Sequence, residues 1–454
     1  MIAGVPLGYL VSTVVTAAFV GFGLWPPSTH GPRATLPYLL GTVSSELYAP
    51  MLVCAVAPTA LAVAEGDVDL AGDLWALVLP TLTVLGIGLA LARALRTRPV
   101  LESALAGGLD VGLRRRRVDA GDVLRVLVAP VRWRRRDVVL LKDLRYGPAR
   151  GRGNLLDVYV SRTRPAGSPV LVYFHGGGFF SGAKSREARL LLEHLASHGW
   201  VCVSANYQLR PAQFPTQVVD AKRVIAWLHA EGPRYGADPG RLVLTGGSAG
   251  AHLAMTCALT PGDPRFQPGF EDVDTGVAGA VGFYGYYGKA TDEAASSPAH
   301  HARPDAPPLL LIHGARDPMA PVEDARAFAA ALVAASTGVV LMAELPGGLH
   351  AFDLFASIRS ASVVAAVEAF GDAVVSGRVG PAPPGLTAPA RSGGEGHLVR
   401  RGGRVGSRGA DGRTIAGATG ARRTPPLDDG AGERVPGLHQ GVQPEVHPDE
   451  VADQ

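Results

Sequence analysis

The chain is poor in cysteine, poor in charge and without a recognisable leader, and each shortage excludes something. Its 454 residues hold three cysteines, Cys54, Cys202 and Cys257. They are scattered through apolar stretches and form neither a disulfide framework nor a zinc-ligand spacing, so they read as small buried hydrophobes. Charged residues make up 18% against 47% hydrophobic, and the mean hydropathy is +0.17. That is too apolar for a purely soluble enzyme, and the excess sits at one end. No basic stretch precedes the first apolar run and Trp25-Pro26-Pro27 is no cleavage site, which favours a retained anchor over a removed signal peptide.

Residues 4–25, about 36–64 and 74–95 are long apolar runs. Each is near or above the roughly 20 residues that a helix needs to cross a bilayer. Pro37, Pro50 and Pro58 predict a kink in the second run. Its carboxylate, Glu46, is expected to face neighbouring helices or an interface. A buried core hairpin is the competing reading of the whole region. The connection from Glu65 to Asp73 has no Lys or Arg, whereas Arg93, Arg96, Arg98, Arg114 to Arg117, Arg132 and Arg134 to Arg136 follow the third run. The positive-inside rule then predicts a multi-pass protein of the cell membrane, with its N-terminus outside and its catalytic domain on the cytoplasmic face. Membrane lipids are the expected partner of these arginines, at about 1 kcal/mol each near anionic headgroups. No nucleic-acid partner is expected, because only Trp133 interleaves with the basic block.

The pattern predicts four regions: transmembrane helices over 1–98, a basic juxtamembrane linker over 99–136, an α/β catalytic domain over 137–376, and a disordered Gly/Arg/Pro-rich tail over 377–454. The tail has almost no aromatic residues and no apolar period, so it lacks the surface whose burial would offset ordering. An out-of-frame extension of a GC-rich gene is a further expectation for the tail, which a native peptide from 400–454 would refute. In the α/β part, strands are expected at Val138–Tyr146, Leu155–Val160, Val170–Phe174, Val201–Ala205, Leu242–Thr245, Val277–Tyr284, Leu309–Ile312 and Val339–Leu345. Helices are expected at Arg186–Ser197, Val218–Ala230, Ala249–Leu259, Val322–Ala335 and Ser360–Val375. Strands alternating with helices predict a mostly parallel eight-stranded sheet flanked by helices.

The chemistry centres on Gly246-Gly247-Ser248-Ala249-Gly250, which ends one apolar run and opens a small-residue helical pattern. A strand-to-helix turn of this kind presents its serine at a strained tip, and Gly246 and Gly250 supply the lack of bulk it needs. The ordinary alternative is a glycine-rich turn. Ser248 is the candidate nucleophile, His350 after the last strand the candidate base, and Asp317 after the preceding strand the candidate orienting acid. That chain order is the one expected of an α/β-hydrolase. Alone, a histidine after a strand is usually solvated and Asp-Pro is usually a turn. Upstream, a buried strand breaks into His175-Gly176-Gly177-Gly178, whose backbone N–H groups are free to face a developing negative charge. No Gly-Lys-Ser/Thr follows, so a phosphate loop is a poor alternative. The N–H of Ala249 is the second expected contributor to the oxyanion hole.

Together these motifs resemble the hormone-sensitive-lipase-like carboxylesterases of the α/β-hydrolase fold, over about Asp137 to Val375. Asn206-Tyr207-Gln208-Leu209-Arg210-Pro211, with Phe214-Pro215 and Asp220, is similar to that family's Tyr-Arg-Leu-x-Pro…Phe-Pro stretch. The resemblance implies that Gly177, Gly178 and Ala249 donate to the oxyanion and that His175 is structural. Position 247 is Gly where many members have Asp, and the segment from Tyr287 to Pro307 is short for a large lid. Both features look closer to Gly-Gly-Ser-Ala-Gly esterases and arylformamidase-like enzymes. The apolar N-terminus with Asn154-Leu155-Leu156-Asp157-Val158-Tyr159 is similar to membrane-bound prenylcysteine methylesterases and actinobacterial lipase/esterases.

Phe179, Phe180, Tyr284, Tyr286 and Tyr287 adjoin the catalytic strand ends and either line an apolar acyl site or pack in the core. No basic cluster near the motifs reads a phosphate. The expected substrate is a small-molecule or lipid ester, uncharged, with a short to medium or lipophilic acyl group. No metal and no organic cofactor is expected. Amide or formamide hydrolysis by the same groups is one rival; a catalytically silent membrane scaffold is another.

Overall fold

The apolar runs after residue 137 form eight strands: β1 (Val138–Arg145), β2 (Leu155–Ser161), β3 (Ser168–Phe174), β4 (Val201–Ala205), β5 (Ala237–Gly247), β6 (Gly279–Phe283), β7 (Leu309–Gly314) and β8 (Val340–Leu345). They make one sheet in the order β1-β2-β4-β3-β5-β6-β7-β8. The two pairings of β2 are antiparallel, and every pairing from β4 to β8 is parallel. This is the mostly parallel sheet the sequence predicts. The structure, a computed structural model, describes residues 5–27, 32–69, 72–109, 111–113, 134–163 and 165–379. Arg114 to Arg117, Arg132 and the tail from 380 onward lie outside the described residues.

The central strands read as near-continuous apolar runs because both their faces are covered. Val170, Val172 and Phe174 of β3 pack into one core layer and Leu171 and Tyr173 into the other. Helices α7 (Thr216–Glu231), α8 (Ala249–Leu259) and α9 (Val322–Ala335) cover the first layer; α6 (Arg189–Ser197) and α10 (Ile358–Val375) cover the second.

Five helices precede the sheet: α1 (Leu7–Leu24), α2 (Pro32–Glu46), α3 (Tyr48–Ala64), α4 (Leu74–Leu95) and α5 (Thr97–Ala106). Two stretches, Leu7–Leu24 and Leu74–Ala106, are long and apolar enough to cross a membrane, and a third qualifies if α2 and α3 count as one bent span. The kink expected in the second apolar run is a full break of 92° at Leu47. Pro50 explains its place: within a continuous helix its ring would strike the carbonyl of residue 46, so α2 stops there and Pro50 falls in the first turn of α3. Large apolar side chains stay exposed along α1 (Leu7, Val11, Val14), α3 (Leu52, Val53, Val56) and α4 (Trp75, Val78, Leu85).

Part of the stretch expected to be a basic linker is helical. In α5 and the turn after it, Leu101, Leu105, Leu109 and Leu113 are buried in the same layer as α10 and β8. Leu101 and Leu105, four apart, share one face of α5, and Leu109 and Leu113 follow beyond its end. Glu46, at the end of α2, is fully buried. Its Oε1 lies 2.8 Å from Arg359 Nε and its Oε2 accepts from Ser357 Oγ at 2.6 Å. Ser357 is the N-cap of α10, whose own Oγ accepts from the Ser360 N–H. Glu46→Ala leaves the Arg359 guanidinium buried without its partner and is expected to cost roughly 3–5 kcal/mol. Thermal unfolding of the full chain in detergent checks this; an unchanged transition would contradict it.

Candidate active site

Strand β5 runs straight into α8 through Ser248, which adopts φ 53° and ψ −115°. A non-glycine residue rarely holds this conformation, and it persists only where its surroundings enforce it. The enforcement is close packing. A Cβ at Gly250 would overlap the Phe174 carbonyl, and one at Gly246 would overlap the Gly250 backbone. The turn is therefore pressed between β3 and the helix it opens. Gly250→Ala is expected to unfold or strongly destabilise the domain, since backbone rather than a flexible side chain must move; soluble yield and circular dichroism are the readouts.

The candidate oxyanion loop follows β3. Gly177 and Gly178 have φ of 116° and 60°, conformations that only glycine holds without strain. The N–H groups of Gly177, Gly178 and Ala249 have no acceptor among the described residues. Ala249 is the first residue of α8, so the partial positive charge of that helix terminus adds to its donor. Gly176 N–H instead donates to Glu187 Oε2 at 2.7 Å, and Tyr173 Oη donates to the same oxygen at 3.1 Å. His175 is buried, its Nδ1 sits 2.7 Å from the Gly176 carbonyl, and its ring stacks on Tyr207 at 4.5 Å. Burial holds its pKa below the ordinary histidine value, so it stays neutral. The Asn206–Asp220 stretch braces this loop: Tyr207 Oη donates to the His175 carbonyl at 2.8 Å, and Asp220 accepts from Gln208 N–H at 2.9 Å.

His350 and Asp317 meet. His350 Nδ1 lies 2.7 Å from Asp317 Oδ2, while Asp317 Oδ1 accepts from the N–H groups of Met319 and Ala320 at 2.8 and 2.9 Å. The Asp317 side chain has no exposure. His313 approaches the same oxygen, its Nε2 3.6 Å from Oδ2 and donating to the Ala320 carbonyl at 2.8 Å. Burial keeps the His313 pKa low, so it adds no cation there. Ser248 Oγ has no hydrogen-bond partner among the described residues. Tyr284 joins the two halves of the site. Its ring centroid is 4.7 Å from that of His350, and the Phe283 carbonyl just before it accepts the Ser248 N–H at 2.9 Å. A Cβ at Gly247 would come within 2.5 Å of Tyr284 Oη. The tyrosine thus fills the space beside position 247.

The aromatic residues divide. Phe179 is half-buried, edge-on to His252 and Tyr207, and Phe180 is 65% exposed. Tyr284 is buried against His350. Tyr287 turns into the core and stacks on Phe328 at 4.4 Å, so core packing, the competing expectation, holds for it. Tyr286 stacks on His252.

Three groups around the candidate site carry no sequence motif. Tyr38 of α2 packs edge-to-face on the His350 ring, centroids 5.9 Å apart. Glu187 ties down the oxyanion loop. Asp353 is half-buried and accepts from Tyr284 Oη on Oδ1, and its buried Oδ2 has no partner among the described residues. Burial, then the Glu187 carboxylate, push its pKa up to about 7. A carboxyl whose folded pKa exceeds its unfolded one binds extra protons when folded. That contribution is complete below the unfolded value near 4 and is lost as pH rises through 7. Asp353→Asn keeps the acceptor for Tyr284 and removes the charge. It is expected to melt higher than the wild type at pH 8, with the advantage shrinking towards pH 5. An advantage constant with pH would contradict this.

Among the described residues, His194, His198 and Glu368 have ligand-type atoms within 4.8 Å of one another. His194 Nε2 already lies 3.0 Å from Glu368 Oε2, so a hydrogen bond accounts for that pair.

A family model described as BD-FAE matches residues 156–287. The chain is similar to the probable carboxylic ester hydrolase LipM of Mycobacterium tuberculosis, at 35% identity over 407 residues, covering 80% of this chain and 92% of the relative. It is 38% identical to esterase LipQ of the same organism over 275 residues, covering 54% and 65% of the two chains. Among solved structures, butyrate-bound esterase Est2 of Thermogutta terrifontis aligns with a TM-score of 0.42 at 26% identity, covering 50% of this chain and 91% of the other.

Proposed function

Since this chain belongs to the family of carboxylic ester hydrolases that includes LipM, we propose that it hydrolyses its esters through Ser248, His350 and Asp317 by way of an acyl-enzyme. The observation that carries the proposal is the buried Asp317–His350 hydrogen bond, at the same sheet edge as the strained Ser248 turn. Asp317 accepts from Nδ1–H and so leaves Nε2 as the basic nitrogen. Nε2 takes the Ser248 proton as Oγ attacks the ester carbonyl. The carbonyl oxygen becomes an oxyanion and accepts from the N–H groups of Gly177, Gly178 and Ala249. Nε2–H then protonates the leaving alcohol, and a water deprotonated by the same nitrogen cleaves the acyl-enzyme. The Ser248–His350 hydrogen bond forms when substrate orders the hydroxyl, since such contacts are often loose in the free enzyme. Losing one oxyanion donor would cost about 3–4 kcal/mol of transition-state stabilisation. Phe179, Phe180 and Tyr284 are the proposed acyl-site residues. No step calls for a metal or an organic cofactor.

The protein is further proposed to be anchored in the cell membrane by α1, α3 and α4, with the catalytic domain, 137–376, on the cytoplasmic side. The exposed apolar side chains of those helices support lipid contact. So does the direction of the helices. The C-terminal end of α1, the start of α3 and the last turn of α4 all adjoin the catalytic domain: Arg316 Nη1 donates to the Leu24 carbonyl, Glu46 pairs with Arg359, and Arg93 abuts Gly347. Three crossings then leave the N-terminus on the opposite face, and the arginines that follow α4 on the cytoplasmic one. A site held against the bilayer favours lipophilic esters that partition into it.

A fluorophosphonate probe tests the chemistry: the wild type should be labelled and Ser248→Ala should not. Equal labelling of both, or none of the wild type, would refute the nucleophile. A panel of p-nitrophenyl esters of graded chain length set against formylated anilines reads the substrate class, with faster turnover of the esters expected.

A further inference from the structure

We propose that α2 is a working part of the active site: Tyr38 positions the His350 imidazole, and Glu46 fixes the loop that carries it. This rests on the reading of His350 as the general base.

The loop from Pro346 to Ser357 is anchored both by the sheet domain and by the N-terminal helices. At its start, Arg359 Nη1 donates to the Pro346 carbonyl at 2.9 Å, and Gly347 packs against the Arg93 side chain. At its end stands Ser357, the N-cap of α10. Glu46 holds both ends at once, with one carboxylate oxygen on Arg359 at 2.8 Å and the other on Ser357 at 2.6 Å. Thr97, at the head of α5, accepts from the same guanidinium at 3.3 Å. Between those ends the loop is met by α2. Thr42 Oγ1 lies 3.4 Å from the His350 carbonyl, and Gly41 faces Leu349 so closely that a Cβ there would stand 3.0 Å from Leu349 Cδ1. Tyr38, one turn earlier, sets its ring edge-to-face with the imidazole at an interplanar angle of 74°. Tyr284 packs on the same imidazole at 4.7 Å. The base is therefore held between a tyrosine of the sheet edge and a tyrosine of the N-terminal helices, with Asp317 bonded to Nδ1.

Two ring contacts, one edge-to-face and one tilted, and one hydrogen bond define the orientation of the imidazole. Removing one contact lets the ring swing about its Asp317 bond, which spoils the approach of Nε2 to Ser248 without abolishing it. Tyr38 touches the base and not the reacting atoms, so it is a positioning residue.

The test uses the full-length protein in detergent micelles, with p-nitrophenyl butyrate as substrate and a fluorophosphonate as probe, below each variant's melting temperature. Tyr38→Ala should lower kcat by about tenfold or more while KM moves less than threefold, and should slow fluorophosphonate labelling of Ser248 in parallel. Tyr38→Phe, which keeps the ring, should recover most of that loss. Glu46→Gln, which keeps the shape of the side chain but drops the charge and turns one acceptor into a donor, should lower kcat in the same KM-sparing way. Kinetics within twofold of wild type for Tyr38→Ala would overturn the role of Tyr38, and the same result for Glu46→Gln would overturn the role of the pair. Equal losses in Tyr38→Phe and Tyr38→Ala would move the effect to the hydroxyl and overturn the ring-packing argument. A labelled wild type in any of these cases keeps the Ser248–His350 reading intact; an unlabelled wild type sinks that reading and this one with it.

Discussion

Ser248→Ala is expected to lower kcat on p-nitrophenyl butyrate by up to the order of 10^6-fold, as when the nucleophile of a comparable serine hydrolase is removed. The loss is large because the remaining groups have nothing to activate: His350 keeps its bond to Asp317 but has no hydroxyl to deprotonate. It should not reach the uncatalysed rate, because the proposed oxyanion donors, the N–H groups of Gly177, Gly178 and Ala249, would remain and would be worth roughly 10^3–10^4 over water. His350→Ala should cost a similar factor, and the double variant little more than either alone, since the two act in one proton transfer. The fold should be indifferent. Alanine has the same Cβ as serine, so the strain at φ 53° is unchanged, and no hydrogen bond of Ser248 Oγ to the described residues is lost. Melting temperatures within a few degrees of wild type, with activity gone, are the expected pair of results. A loss below tenfold would put the nucleophile elsewhere.

The elements most legible in the sequence are those whose physics is local. The eight strands, the four helices between them and the one that follows fall within a few residues of their expected positions, because each is an apolar run bounded by glycine, proline or polar residues. Strand β5 is the largest exception: it begins at Ala237, through Asp238-Pro239-Gly240, which carry no apolar pattern. Ser248, His350 and Asp317 are legible as candidates because each follows a strand end and comes with a short motif. What escaped the sequence is what depends on distant partners. Glu46 and Arg359 are separated by 313 positions, and an acid in an apolar run looks the same whether it meets lipid headgroups or a guanidinium. Tyr38 and Asp353 have no motif; only the fold brings them to His350. Leu101 and Leu105 share a face of α5, in a stretch where arginines dominate the pattern. Tyr287 shows the converse error: adjacency to a catalytic strand end does not decide which face a side chain takes, and this one faces Phe328.

Asp317→Asn should separate the orienting role of the acid from its mere presence. The amide is nearly the shape of the carboxylate, so the site should stay assembled, and the partners already in place decide how the amide turns. Oδ1 accepts from the N–H groups of Met319 and Ala320 at 2.8 and 2.9 Å, and only the amide oxygen can take that position. The NH2 group is then forced towards His350 Nδ1, where the carboxylate oxygen stood at 2.7 Å. A donor facing Nδ1 requires Nδ1 to be the acceptor, so the imidazole proton moves to Nε2. That nitrogen is the one meant to take the Ser248 proton, and it is now occupied. The expected loss in kcat near neutral pH is about 10^4-fold, the size of the same tautomer fault in the trypsin-type triad, with KM little altered and the melting temperature close to wild type. Raising the pH should recover part of the rate, as direct hydroxide-driven ionisation of Ser248 replaces the missing base. A rate within tenfold of wild type at pH 7 would mean that Asp317 does not set the tautomer of His350, and the proton path proposed here would have to be redrawn.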